Sequence, residues 1–138
     1  MKVMILAAGV GERMRPLTER TPKPLLVVGG MPLIAHHLTR LARAGFGEVV
    51  INVSHLASQI VEYCGDGARW GLRIQYGRQL VQDGTGKAPE LAKEFVGPAP
   101  FILTYGDILV RPETYAQMIH RYNEDYFSGV VTVTGSED

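Results

Sequence analysis

Cysteine is almost missing from this chain. Cys64 is the only one in 138 residues, so no disulfide framework can form within the chain and no zinc site can be built on cysteines. It reads as a small buried hydrophobe in a reducing compartment. Net charge is missing too, because 14 Lys and Arg balance 14 Asp and Glu. No overall field draws in nucleic acid or an acidic membrane, and any anion must be held by a local cluster. No apolar run approaches the roughly 18 residues of a membrane span. The first residues lack the basic start and cleavage pattern of a secretion signal, and Lys2 leads straight into an apolar segment. The expectation is a cytoplasmic protein with no membrane or nucleic-acid partner. Repeats, low-complexity tracts and linkers are absent as well. What remains is one domain's length of chain, 46% hydrophobic, enough for a real core.

The apolar residues alternate between two periods. Val3 to Leu6, Glu48 to Val53, Leu72 to Tyr76, Phe101 to Tyr105 and Val130 to Thr134 read as strands. Between them lie helical patterns. Pro32 opens one whose inner face is Ile34, His37, Leu38 and Leu41, with Gly45 at its end. Leu56, Ile60 and Cys64 mark a second. A polar loop from Gly77 to Lys87 leads into a short helix to about Phe95, and Pro112 opens another with Tyr115, Met118, Ile119 and Tyr122 inward. Such alternation predicts an α/β fold with a mainly parallel sheet and helices on both faces. Ligands of open sheets of this type sit beyond the carboxyl ends of the strands. The loop after Leu6, the Gln79–Lys87 loop and Asp107 all follow strands, so they are expected to share one site.

The chemistry is concentrated at the start. A strand runs into Ala7-Ala8-Gly9-Val10-Gly11-Glu12-Arg13, then Pro16-Leu17-Thr18 and Pro22-Lys23-Pro24-Leu25. Glycines let main-chain N–H groups approach phosphate oxygens, and nearby cations neutralise the charge. Two common phosphate motifs are excluded. A dinucleotide fingerprint needs glycine or alanine where Met14 stands. The only Gly-Lys pair, Gly86-Lys87, has Val81 where a P-loop needs its first glycine and Ala88 where it needs Ser or Thr. His36 and His37 are adjacent on a helix and point apart, so they read as structural. His55 reads as a turn residue and Trp70 as a packing anchor.

The opening resembles that of the sugar-1-phosphate nucleotidyltransferases, of uridylyl or thymidylyl type. It matches at Leu6, Ala7, Ala8, Gly9, Gly11, Arg13, Pro16, Leu17, Thr18, Pro22, Lys23, Pro24 and Leu25, and the likeness continues through Gly30, Pro32, Leu33 and Ile34. It implies a Rossmann-like three-layer αβα sandwich. It also implies transfer of a nucleotidyl group from a nucleoside triphosphate to a sugar 1-phosphate, by in-line attack on the α-phosphorus with pyrophosphate leaving. No protein nucleophile is needed, and positioning with charge neutralisation carries the catalysis. By the same resemblance, main chain around Ala8, Gly9 and Gly11 holds the nucleotide. Arg13 would neutralise the departing phosphates, and Lys23, held between two prolines, would bridge the α-phosphate and the incoming phosphate. Asp107 resembles the family's Gly-Asp metal position and implies Mg2+ as cofactor; an aspartate after a strand can also cap a helix.

The segment Gln79-Leu80-Val81-Gln82-Asp83-Gly84-Thr85-Gly86 is similar to the base-binding loop of the uridylyl- and thymidylyltransferase branches. A glutamine amide offers a donor beside an acceptor, which suits the imide edge of uracil or thymine, and Gly84 leaves room for the ring. Gln79, Gln82, Gly84 and Thr85 are the candidates. Guanine also offers a mixed edge. The family's catalytic domain is longer than this chain, so residues 1–138 are expected to be its nucleotide-binding part, truncated at the C-terminus and weak or inactive in turnover alone. A homo-oligomer is compatible with the resemblance. Two alternatives stay open: a non-catalytic regulatory homologue, and a transferase acting on a non-sugar phosphate such as phosphocholine.

Overall fold

The structure is a computed structural model, and it describes residues 1–79, 87–124 and 128–131, side chains of Pro89 and Leu91 excepted. Its centre is a four-stranded sheet made of β1 (Lys2–Leu6), β4 (Glu48–Val53), β5 (Arg73–Arg78) and β6 (Phe101–Tyr105), in the order β5-β4-β1-β6. Every pairing within it is parallel. A separate antiparallel pair, β2 (Val27–Val28) and β3 (Met31–Pro32), turns through Gly29 and Gly30. The expectation from periodicity missed this hairpin, which is too short to show alternation.

Helices cover both faces, as three layers require. On one face α2 (Leu33–Arg43), α3 (Ala57–Cys64) and α6 (Pro112–Glu124) pack Ile34, Leu38, Leu41, Ile60, Cys64 and Tyr115 onto Val3, Ile5, Val49, Ile51 and Ile74. On the other, α4 (Ala88–Leu91) and α5 (Lys93–Val96) set Ala88, Ala92, Phe95 and Val96 against Met4, Leu6 and Val50. β1 and β4 are buried on both sides, which explains their unbroken apolar runs. A single-turn helix, α1 (Leu17–Arg20), follows the opening loop.

Four details differ from the sequence reading. The third strand starts at Arg73 and runs through Gly77 and Arg78, so the polar loop begins at Gln79. The helix expected up to Phe95 is two short ones broken at Ala92. On α6 only Tyr115 is fully buried, at 2% exposure, while Met118, Ile119 and Tyr122 are half-buried. Val130 and Val131 form no strand, and the rest of the expected fifth strand lies outside the described residues.

Cys64 is buried on α3, and burial pushes its thiol up to about 12, as its inert reading requires. His37 is unusual. It is 0% exposed on α2, and neither ring nitrogen has a hydrogen-bond partner of normal geometry among the described residues. Burial, and then the Arg40 guanidinium, pull its pKa down to about 4; Gly106 and the Asp107 carboxylate act the other way, and His36 adds a small lowering. The unfolded chain takes up this proton near pH 6.5 and the folded chain only near 4. The neutral ring's contribution is therefore full above about pH 6.5 and is lost as pH falls towards 4, on the order of 3 kcal/mol in all. Urea midpoints of wild type and His37→Leu at pH 7 and pH 4.5 check this. The variant should show the smaller loss on acidification, and equal losses would refute the assignment.

Candidate active site

The strand order sets the site's position. From β1 the chain moves outward to β4 and β5, then returns to add β6 on the opposite side of β1. Loops leaving β1 and β6 therefore diverge at a switch point, where open α/β sheets bind ligands. A cleft of about 530 Å3 lies there, lined by Ala8, Gly9, Gly11, Arg13, Lys23, Asn52, Gln79, Tyr105, Gly106 and Asp107, among others. Its size suits a small organic ligand.

The loop after β1 is shaped by few contacts. Ala7 N–H donates to Asn52 O at 2.9 Å, which carries the parallel ladder one residue past the strand. Gly11 sits at φ +66° and starts a single 3-10 turn, Glu12–Met14. A Cβ on Gly11 would come within 2.7 Å of Thr18 Cγ2, so both conformation and space select glycine. Thr18, 1% exposed, donates its hydroxyl to Gly11 O at 2.6 Å. A His55 ring nitrogen meets Thr18 O at 3.0 Å. That contact gives His55 a definite role in bracing α1 against the β4–α3 connection, more than the turn position read from sequence. Arg13 stands exposed on the 3-10 turn at the cleft edge.

Lys23 is carried by a second 3-10 turn, Lys23–Leu25. Pro22 N-caps it at φ −63°, and Leu25 N–H closes it on Pro22 O at 2.8 Å. Pro24 is buried, so the turn cannot swing away from the core. Lys23 Nζ reaches across to Asp107 Oδ2 at 2.5 Å, both groups partly exposed. Asp107 owes its place to Gly106, whose N–H donates to Leu6 O at 2.8 Å. The segment beyond is tied to α2 by Arg40, which donates to Val110 O at 2.9 Å.

Ala8, Gly9, Gly11, Arg13, Lys23, Gln79 and Asp107 thus converge on one cleft. Gln82, Gly84 and Thr85 lie outside the described residues. Two lining residues escaped the sequence reading. Tyr105 was read only as the last residue of a strand, and it is 46% exposed at the cleft. Asn52 was absorbed into an apolar strand; a polar residue in that run was the available signal. Among the described residues, no three His, Cys, Asp or Glu side chains gather closely enough to hold a metal, so the cleft offers Asp107 as a carboxylate donor beside two cations. No helix among the described residues is long and apolar enough to cross a membrane.

Comparison with known proteins agrees with this geometry. The N-acetylmuramate alpha-1-phosphate uridylyltransferase of Neisseria meningitidis is 50% identical over 111 residues, covering 79% of this chain and 48% of that protein. The UTP–glucose-1-phosphate uridylyltransferase of Synechocystis is 38% identical over 133 residues, covering 88% of this chain and 34% of its own length. A crystal structure of a candidate glucose-1-phosphate thymidylyltransferase of Bacillus anthracis superposes with a TM-score of 0.80 at 29% identity, over 88% of this chain and 50% of that one. The chain spans about half or less of the length of these relatives. The family model described as nucleotidyl transferase matches residues 2–138, and the chain belongs to that family.

Proposed function

We propose that residues 1–138 form the nucleotide-binding part of a catalytic domain that transfers a uridylyl or thymidylyl group to a sugar 1-phosphate. The observation that carries this reading is the Lys23–Asp107 pair, held across the cleft from the Gly9–Gly11 loop at the switch point of the sheet. The names of the relatives, which specify UTP or thymidylyl transfer and sugar 1-phosphates, support it. The single buried cysteine and the soluble nature of both substrates fit a cytoplasmic setting.

In the reaction, an oxygen of the sugar phosphate attacks the α-phosphorus of the triphosphate in line. The new P–O bond forms as the bond to the bridging oxygen of the β-phosphate breaks, and that oxygen leaves with the electron pair as pyrophosphate. Gly9 and Gly11 keep side chains out of the path of the triphosphate. Arg13 at the rim faces the departing phosphates. Lys23 sits where the two reacting phosphates meet and offsets their mutual repulsion, exchanging its contact with Asp107 for phosphate oxygens.

Asp107 fits the needs of Mg2+, since a hard carboxylate oxygen exposed at the rim is the donor a magnesium–nucleotide site takes from a protein. When bound, the ion would screen phosphate charge and orient the triphosphate, with Asp107, phosphate oxygens and water as its ligands. Gln79, with Gln82, Gly84 and Thr85 beyond it in sequence, would meet the base.

Pyrophosphate release from the gene product, assayed with each nucleoside triphosphate against a panel of sugar 1-phosphates and phosphocholine, tests the reading. N-acetylmuramate 1-phosphate and glucose 1-phosphate head the panel, given the relatives' names. Release with UTP or dTTP and a sugar 1-phosphate is expected. Release only with CTP and phosphocholine, or none with any pair, would overturn it.

A further inference from the structure

Helix α2 holds the segments on both sides of the Lys23–Asp107 pair. On the lysine side, the 3-10 turn Lys23–Leu25 ends at Leu26, whose carbonyl accepts from the N–H of Leu33, the first residue of α2, at 3.0 Å. One turn along, His36 Nε2 donates to Val28 O at 2.6 Å. On the aspartate side the contact is Arg40. Its Nη1 donates to Val110 O at 2.9 Å, across 70 positions of sequence. Asp107 lies in the connection 106–111 between β6 and α6. Asp107 and Ile108 are exposed and Val110 is half-buried, so little packing holds this connection. Gly106 pins its start to β1, through Leu6 O at 2.8 Å. Beyond Gly106, and among the described residues, its hydrogen bonds to elements other than β6 and α6 are Lys23 to Asp107 and Arg40 to Val110. Leu33, His36 and Arg40 follow one another at helical spacing along one side of α2, about 10.5 Å from first to last.

We propose that α2 sets the separation of Lys23 and Asp107, and that Arg40 is the positioning residue for Asp107, acting through the Val110 carbonyl. The inference rests on the reading above that Asp107 holds Mg2+. Each turn of a helix is hydrogen-bonded to the next, so two segments tied to one helix keep their spacing. They keep it even when the direct contact between them is given up. That is the situation the proposed reaction creates. Lys23 leaves Asp107 for phosphate oxygens, and the ion pair no longer holds the connection. From then on Arg40 and Gly106 keep the carboxylate at the rim. The guanidinium suits this task, since its bond to a carbonyl is charge-assisted and its donors form a rigid fork. Support of this kind, behind the group that touches the ligand, holds a site to within about 0.5 Å.

The test is titration calorimetry on the gene product and its variants, with UTP or dTTP, whichever binds tighter, and no acceptor. Each titration is run in Mg2+ and in EDTA, with thermal melts to establish folding. The ratio of the two affinities reads Asp107, whereas the affinity in EDTA reads the glycine loop, Arg13 and the base contacts. Arg40→Met keeps the apolar stem and loses the donor. It should lower the ratio by about tenfold, the worth of one charged hydrogen bond, and leave the affinity in EDTA unchanged. Arg40→Lys keeps a charged donor on a long stem and should recover most of the ratio. Should Arg40→Met fail to fold, Arg40→Gln, too short to reach Val110 O, carries the same expectation. Equal weakening in Mg2+ and in EDTA would make Arg40 a merely structural residue and overturn the inference. Asp107→Asn separates the inference from the reading beneath it. If it abolishes the gain from Mg2+ while the folded Arg40 variants keep that gain, the inference is overturned and the role of Asp107 stands. If Asp107→Asn leaves the gain intact, or neither nucleotide binds, the underlying reading falls and takes the inference with it.

Discussion

Lys23→Ala is expected to lower turnover by about 10²–10³-fold while leaving the fold almost untouched. The two halves of this expectation come from the same contact. Lys23 and Asp107 are 29% and 40% exposed, and an ion pair that open to water adds no more than about 1 kcal/mol to stability. In the proposed reaction the same lysine, once phosphates fill the cleft and exclude water, would face charge that increases as the reaction proceeds. Its interaction there is stronger in the transition state than in the ground state, which is the condition for acceleration. Steady-state pyrophosphate release should show the loss mainly in kcat, with a thermal midpoint within a few degrees of wild type. A large fall in the midpoint with little change in kcat would reverse the assignment and make Lys23 a structural residue.

Gly106→Val should damage both stability and catalysis. Gly106 is buried against the end of β1, and a Cβ on it would lie 2.9 Å from Leu6 O. That neighbour is backbone in a central strand, so it cannot swing aside as a side chain would. The β6 end must retreat, breaking the Gly106 N–H to Leu6 O bond and moving Asp107 away from Lys23. Overpacking of this kind costs about 1–3 kcal/mol, and a misplacement near 1 Å at a reacting centre costs on the order of 10²-fold in rate. Urea unfolding and pyrophosphate release measured on one preparation check the pair of effects. Near-normal turnover would mean that the exact position of Asp107 is unimportant.

Much of this site was readable in the chain because its parts are bound to local backbone chemistry. Gly9 and Gly11 after an apolar strand, and Lys23 between prolines, need no tertiary information to be noticed. Their meeting with Asp107 followed from one topological rule about strand ends. Burial on both faces gave β1 and β4 away as apolar runs, and β6 shows as an apolar run although Leu103 and Tyr105 are exposed, whereas β2 and β3, two residues each, carry no period to detect. The break at Ala92 was hidden because Phe95 and Val96 continue the apolar pattern across it. Asn52 was missed for a different reason. Its partner Gln79 is distant in sequence and adjacent only once β5 lies beside β4, so the one local signal, a polar residue in an apolar run, did not show what it meets. His37 likewise read as one more inward residue of α2, and its lack of a normal hydrogen bond exists only in three dimensions.

The strand order β5-β4-β1-β6 also has a consequence for synthesis on the ribosome. The cleft's first residues are among the earliest made, yet the acid opposite them is Asp107, 84 positions after the lysine it meets. At about 5–20 residues per second, the glycine loop and Lys23 wait several seconds for their counterpart. Through that interval β1 has only β4 as a possible neighbour, and its other edge is open to stray pairing. Adding β6 closes that edge and brings in Asp107 in the same event. A nascent chain therefore completes this cleft and covers the open edge of β1 in the same step.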